Sequence, residues 1–201
     1  MRKAVQHLQN SDPRLALIIE KAGPCSMQYN EPVFQSLVRS IVFQQLSGRV
    51  ATVIFNRLAA AVPGGQLTPQ AILKLRIPKM RSLGLSGQKT EYIRDLARKT
   101  RDGLLVFESL PDLSDHQVIE TLTQVKGIGV WTSHMFLIFA LRRPDVLPTG
   151  DLGIRKAIQA AYQLPALPGP DEIERIAAPW RPHCSVAAWY LWRSLDGDAI
   201  L

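Results

Sequence analysis

Cysteine is nearly absent from this 201-residue chain, where Cys25 and Cys184 are the whole complement. Two thiols cannot supply the four ligands of an iron–sulfur cluster. The four histidines (His7, His116, His134 and His183) show no His-x-x-x-His spacing, and no Cys-x-x-Cys pair accompanies them. No side-chain metal site is therefore legible. Long apolar runs are missing too: the longest, Met135 to Leu141, has seven residues, against roughly 20 for a membrane-spanning helix. Arg2 and Lys3 are not followed by an apolar stretch with a small-residue cleavage site, which points away from a secretory signal and towards the cytoplasm. There is no Gly-x-x-x-x-Gly-Lys phosphate loop and no Gly-x-Ser-x-Gly elbow, which removes the common ATPase and serine-hydrolase chemistries.

What is present is apolar residue and positive charge. A hydrophobic fraction of 46% is ample for one domain, or for two small lobes. Twenty-four basic against 17 acidic residues leave a net charge of +7, which favours a polyanionic partner. The excess is local. Between Arg76 and Arg101 stand eight basic residues and two acidic ones, a local +6, while the remainder is near neutral at +1. Arg94, Arg98 and Arg101 share one helix face, with Ile93, Leu96 and Ala97 on another. A solvated face and a phosphate footprint both explain that pattern, and the sequence leaves the two readings open.

The periodicity is helical almost throughout. Phe34, Leu37, Val38, Ile41 and Val42 repeat at three and four residues, followed by Val50, Val53, Ile54 and Leu58. Pro63-Gly64-Gly65 ends that stretch, and Thr68-Pro69 reads as an N-cap followed by a first-turn proline. Ser114 with Gln117 forms a capping-box signature ahead of Val118, Ile119, Leu122 and Val125. Lys126-Gly127-Ile128-Gly129 then turns directly into the apolar segment from Val130 to Leu141, a tight helix–turn–helix unit. Asp151 opens another helix through Ala161, after a loop bounded by Pro144 and Pro148. The fold class expected is all-α, a two-lobed helical bundle with a helix-hairpin-helix motif. Lobe one is assigned to 1–30 together with 145–201, and lobe two to 31–144, including the hairpin at 118–140.

A Gly-hydrophobic-Gly turn lets backbone approach a phosphate, with the N–H groups of a helix N-terminus pointing at it. A plain helix connection uses the same residues. In context the stretch Val125-Lys126-Gly127-Ile128-Gly129-Val130-Trp131-Thr132, followed by Asp151 in Leu147-Pro148-Thr149-Gly150-Asp151-Leu152-Gly153, resembles the helix-hairpin-helix DNA glycosylases. Within them it is most similar to the 3-methyladenine DNA glycosylase II branch, which excises alkylated bases. The likeness extends to Ile41-Val42-Phe43-Gln44-Gln45-Leu46-Ser47, Gly84-Leu85-Ser86-Gly87-Gln88-Lys89, Pro179-Trp180-Arg181-Pro182 and Ala188-Trp189-Tyr190-Leu191-Trp192-Arg193. It covers nearly the whole chain, in the compact form that lacks an extra N-terminal β-rich domain.

The resemblance implies a set of roles. Asp151 becomes the catalytic carboxylate, stabilising positive charge on the sugar as the N-glycosidic bond breaks; an N-cap alone is the plainer reading of an aspartate in that place. Bifunctional relatives carry a lysine nucleophile where this chain has Trp131, and an indole forms no Schiff base. A monofunctional enzyme that leaves an abasic site follows. Trp131, Met135 and Trp189 are the expected base pocket, the indoles favouring cationic alkylpurines such as 3-methyladenine and 7-methylguanine. Met135 stands where some relatives place a tyrosine. Lys126, Gly127, Gly129, Gln44, Gln45, Lys89 and Ser47 are the expected DNA contacts, with Gln45 the preferred wedge into the duplex. His134 and His183 are assigned to structure or backbone contact. The expected partner is double-stranded DNA containing alkylated bases, met by a monomer without a membrane or a chemical cofactor, in the cytoplasm and at the nucleoid if bacterial. A cation at the hairpin backbone carbonyls of 125–130 is compatible with this reading. Two alternatives remain: a non-catalytic helix-hairpin-helix DNA-binding module, and a glycosylase for a neutral lesion.

Overall fold

The computed structural model describes residues 1–195. It is all-α, with no strand among the described residues. In chain order the helices are α1 (Arg2–Ser11), α2 (Pro13–Ala22), α3 (Phe34–Phe43), α4 (Gly48–Ala60), α5 (Pro69–Lys74), α6 (Ile77–Ser82), α7 (Gly87–Arg101), α8 (Asp115–Thr123), α9 (Val130–Phe139), α10 (Leu152–Tyr162), α11 (Pro170–Ala177) and α12 (Cys184–Arg193). The chain divides into two compact units. One comprises Met1–Tyr29 with the chain from Arg142 onward, and the other Asn30–Leu141. The end of the expected first lobe, 196–201, lies outside the described residues.

In the unit Asn30–Leu141, α7 packs against α3, α5 and α6, and α8 against α9. Most apolar positions that define the periodicity are buried, and Leu37, Val38, Ile41, Leu58, Ile93, Leu96, Leu122 and Leu137 have essentially no exposed surface; Val50 (47%) and Val53 (45%) on α4 are instead exposed. Local capping sets the element starts. Thr68 accepts from the Ala71 N–H with Pro69 in the first turn of α5. Ser114 and Gln117 complete a reciprocal capping box on α8.

The basic face of α7 is neither purely solvated nor open. Lys89 Nζ donates to the carbonyls of Val42 (2.7 Å) and Gln44 (2.6 Å) at the end of α3. Arg94 Nη1 donates to Leu75 O (2.9 Å), just past the end of α5. Both cations sit where helix carbonyls lack intrahelical partners and the dipole is negative. Arg98 and Lys99 bond Asp95, and Arg101 bonds Asp102. Lys89 and Arg94 thus hold helices together, while Arg98, Lys99 and Arg101 pair with acids of α7 itself and of its C-cap.

The other unit is built on α1, α2, α10, α11 and α12 around Leu8, Leu15, Ile18, Ile154, Ile158, Ile173, Trp180 and Leu191. Buried Asp12 N-caps α2 through the Arg14 and Leu15 N–H groups. The same carboxylate accepts from the Trp180 indole (2.6 Å) and from the Tyr162 hydroxyl, joining α2, α10 and the turn after α11. Burial and this bond push the Tyr162 phenol far above its ordinary value. The Pro179–Pro182 segment therefore has a structural duty, since Arg181 also pairs with Asp145 (2.9 Å) and Glu174 (2.7 Å).

Candidate active site

The turn between α8 and α9 uses its two glycines differently. Gly127 has φ +79°, and a Cβ there would strike the Tyr92 ring. Glycine is required by the fold at that position, whatever approaches from outside. Gly129 is extended, with φ −104° and ψ −179°, and a Cβ there would meet nothing within 4 Å. It precedes α9 without a side-chain cap, so the first N–H groups of α9 stand behind a residue with no side chain. The turn is anchored from α7: the backbone N–H of Lys126 donates to Asp95 Oδ2 (3.0 Å), and Lys126 Nζ pairs with Glu91 at 2.5 Å in an exposed contact. Burial acts to raise the Asp95 carboxyl, but its bonds to Lys99 and to the Lys126 N–H prevail and hold it below the ordinary carboxylate range.

Beside the hairpin, α3 stops at Phe43 and the chain turns at Gln44–Ser47. Gln45 has φ +56°, a left-handed backbone that costs a non-glycine residue roughly 1–2 kcal/mol. The turn is pinned through the residues that precede Gln45. Lys89 holds the Val42 and Gln44 carbonyls, and Gln44 Nε2 donates to Gly127 O (2.8 Å). Two residues expected to contact DNA, Lys89 and Gln44, are engaged with the protein's own backbone and set the shape of the turn. Gln45 and Ser47 are exposed, and Leu46 is 38% exposed rather than core.

A cavity of about 680 Å³ opens here, with Gln44, Gln45, Lys89, Gly127, Trp131 and Met135 among its lining. Trp131, on the first turn of α9, is 51% exposed. Arg39 lies over the Phe43 ring, 4.0 Å from its centroid, on the same wall. His134, on α9, is pushed below its ordinary value by burial, partly opposed by Asp115.

Asp151 belongs to the other unit. It is 8% exposed and N-caps α10, its Oδ1 accepting from the Ile154 N–H (2.8 Å). The same oxygen accepts from Trp192 Nε1 (2.9 Å) on α12. The loop leading to it is fixed by the start of α12. Ser185 Oγ accepts from Val146 N (3.1 Å) and donates to Arg143 O (2.6 Å), while Ser185 N donates to Pro144 O (3.0 Å). Trp189, three residues before Trp192, instead packs its ring edge-on against Tyr190 at 4.9 Å, with the Arg193 guanidinium 6.0 Å from its centroid.

A family model described as HhH-GPD superfamily base excision DNA repair protein matches residues 38–182. The chain belongs to the HhH-GPD superfamily. DNA-3-methyladenine glycosylase 1 of Schizosaccharomyces pombe is 36% identical, over 96% of this chain and 87% of that protein. The solved structure of a 3-methyladenine DNA glycosylase from the same yeast, in complex with abasic DNA, superposes with a TM-score of 0.86 at 35% identity, covering 99% of each chain. A DNA-3-methyladenine glycosidase structure from Bacillus halodurans gives 0.85 at 36% identity, over 95% of this chain and 88% of that one.

Within this HhH-GPD chain, three contributors escape a reading of the sequence. Asp95 tethers the hairpin, Tyr92 occupies the space that Gly127 leaves, and Trp192 bonds the carboxylate. Each acts on a residue at least 31 positions away, and no local pattern marks such a pair. Side chains that would group round a metal ion are lacking among the described residues. Of the hairpin carbonyls, Gly129 O already accepts from Ser133 N and Oγ, while Val125 O accepts from Ile128 N and Gly127 O from Gln44. A carbonyl has two lone pairs, so Val125 and Gly127 each keep one for a weakly held cation. Cys25 and Cys184 are both free thiols. Cys184 is raised far above its ordinary value by burial and by Asp145, which suits packing rather than nucleophilic use.

Proposed function

We propose that the chain is a monofunctional DNA glycosylase of base excision repair, hydrolysing the N-glycosidic bond of alkylated purines such as 3-methyladenine and 7-methylguanine in duplex DNA and leaving an abasic site. The observation that carries this reading is the residue after the hairpin: an indole, Trp131, half exposed on the wall of a cavity of about 680 Å³. A lysine there would supply the amine of a lyase; an electron-rich ring supplies a face for a cationic base. Trp131 and Met135 form the proposed wall for the everted base, and Trp189 is the proposed aromatic face in the unit of Asp151. Gln45, exposed and held in a left-handed turn, is the proposed wedge. Gly129 with the N-terminus of α9, Lys126 and Ser47 form the proposed phosphate contacts.

The chemistry needs few groups. The bond from C1′ to the purine nitrogen breaks with its electron pair moving to the base, which neutralises the positive charge that alkylation placed there. No acid is required for departure of such a base. The cation left on the sugar is stabilised by the Asp151 carboxylate. Water adds its oxygen to C1′, and its proton passes to the carboxylate or to solvent. A neutral lesion would leave as an anion and would call for a proton donor, a role that His134, pushed below its ordinary value by burial, fills poorly. No helix of the described residues is long and apolar enough to cross a membrane.

Incubation with randomly methylated duplex DNA, with released bases identified by mass spectrometry, tests the substrate class. Methylpurines are expected in the supernatant; release of unmodified or oxidised bases alone overturns the reading. Asp151→Asn is expected to lower single-turnover excision at least a hundredfold while duplex affinity changes less than threefold, on the scale of losing a principal electrostatic stabiliser. Retained turnover removes the carboxylate from the mechanism and favours a cavity that works by binding alone.

A further inference from the structure

We propose that Trp192 is a positioning residue for the Asp151 carboxylate, with Gly153 kept bare to let the indole reach it; this rests on the catalytic reading of Asp151. Trp192 Nε1 lies 2.9 Å from Asp151 Oδ1, and the Ile154 N–H lies 2.8 Å from the same oxygen. One oxygen thus takes a helix-capping bond from its own chain segment and a second bond from a helix 41 residues away. The two donors fix the carboxylate about its own side-chain torsions, which a single N-cap bond from the adjoining turn does not. The indole is suited to that duty because it only donates. It cannot take a proton from the acid or compete for the sugar.

Gly153 supplies an independent mark of the same arrangement. A Cβ there would stand 3.0 Å from Asp151 Oδ1, 3.1 Å from Trp192 Cδ1 and 3.4 Å from Trp192 Nε1. Its backbone is ordinary helix, so glycine at this position is explained by the indole and carboxylate crowding it, not by conformation. An alanine would improve the intrinsic helix propensity of α10 yet press on the bond between the two side chains. Stability and catalysis are therefore expected to move in opposite directions at one position, which a packing role for Trp192 does not produce.

The test uses the full chain, with single-turnover release of 7-methylguanine from duplex DNA followed at neutral pH over a range of enzyme concentrations. Trp192→Phe keeps the ring and removes the donor. The expected result is a rate lower by about tenfold to a hundredfold, the scale of losing one hydrogen bond to a charged group, with duplex affinity unchanged. The loss should fall on the maximal single-turnover rate and not on the enzyme concentration that gives half of it. Gly153→Ala should show the same lowered rate with a thermal midpoint equal to or above that of the parent. Trp192→Phe with a parental rate overturns the inference, as does Gly153→Ala with a parental rate. If Trp192→Phe fails to fold, Gly153→Ala decides alone. Asp151→Asn, run in parallel, separates the two claims: an active Asp151→Asn protein sinks the catalytic reading itself, whereas an inactive one beside a fully active Trp192→Phe sinks only the positioning role.

Discussion

Gly127 and Gly129 stand two positions apart in one turn, yet different forces keep them glycine. At Gly127 the positive φ and the Tyr92 ring both refuse a side chain. Gly127→Ala is therefore expected to cost about 2–4 kcal/mol of stability, from left-handed backbone strain plus overpacking, visible as a lower midpoint in urea unfolding. At Gly129 the protein offers no obstacle within 4 Å. Gly129→Ala should cost less than about 1 kcal/mol, the scale of a changed N-cap, while weakening duplex binding several-fold because the new methyl group sits before the first N–H groups of α9. Equal loss of stability at both sites would mean that Gly129 too is a packing residue. The sequence shows the Gly-x-Gly spacing but not this division of labour, because the ring that decides it lies at position 92. The same limit separates Trp189 from Trp192. Both indoles belong to one helix motif, and periodicity does not say which of them meets α10.

Elements of this fold are legible where their signals are local. The Thr68-Pro69 start, the Ser114–Gln117 box and the Asp151 N-cap each act within three residues, and each appears as read. Contacts between elements are where that legibility ends. The basic run on α7 reads equally as a solvated face or as a phosphate footprint, but Lys89 and Arg94 are engaged at the carbonyl ends of α3 and α5. Asp95 shows how much one buried acid on that helix does: it accepts from Lys99 (2.6 Å), Arg98 (3.4 Å) and the Lys126 N–H (3.0 Å), tying α7 to the hairpin. Asp95→Asn is expected to lower stability at pH 7 by about 1.5–3 kcal/mol, the scale of hydrogen bonds to a charged group. The pH dependence follows from the direction of its shift. Its folded pKa lies below the ordinary 3.8, so its contribution is fully present above that value and is lost as pH falls through the folded pKa. The gap between parent and variant in denaturant midpoint should therefore hold from pH 7 to about 5 and close in stronger acid. A gap unchanged at pH 2.5 would show that the charge of Asp95 is not what ties the hairpin.

At the scale of the whole molecule, a net charge of +7 sets the attraction to DNA but not where it is felt. Arg98, Lys99 and Arg101 have acidic partners, and Lys126 is paired with Glu91 while both side chains remain more than half exposed. An exposed pair of this kind is weak, so a phosphate can take Lys126 from Glu91 at little cost. Each phosphate neutralised contributes roughly −0.9 to the slope of log affinity against log salt, which turns the question into a measurement. Lys126→Met should make that slope shallower by about 0.9, for methylated and unmethylated duplex alike, since phosphate contacts carry no base information. Glu91→Gln should tighten binding at low salt without changing the slope, because it removes a competitor and adds no contact. Lys99→Met, on a residue committed to Asp95, should leave the slope unaltered. Salt titrations of the four proteins on one fluorescent duplex distinguish a contact made at the hairpin from a diffuse field. If all three substitutions shift affinity only in proportion to the charge they remove, the +7 acts as a field over the whole surface, and the hairpin lysine has no place of its own in binding.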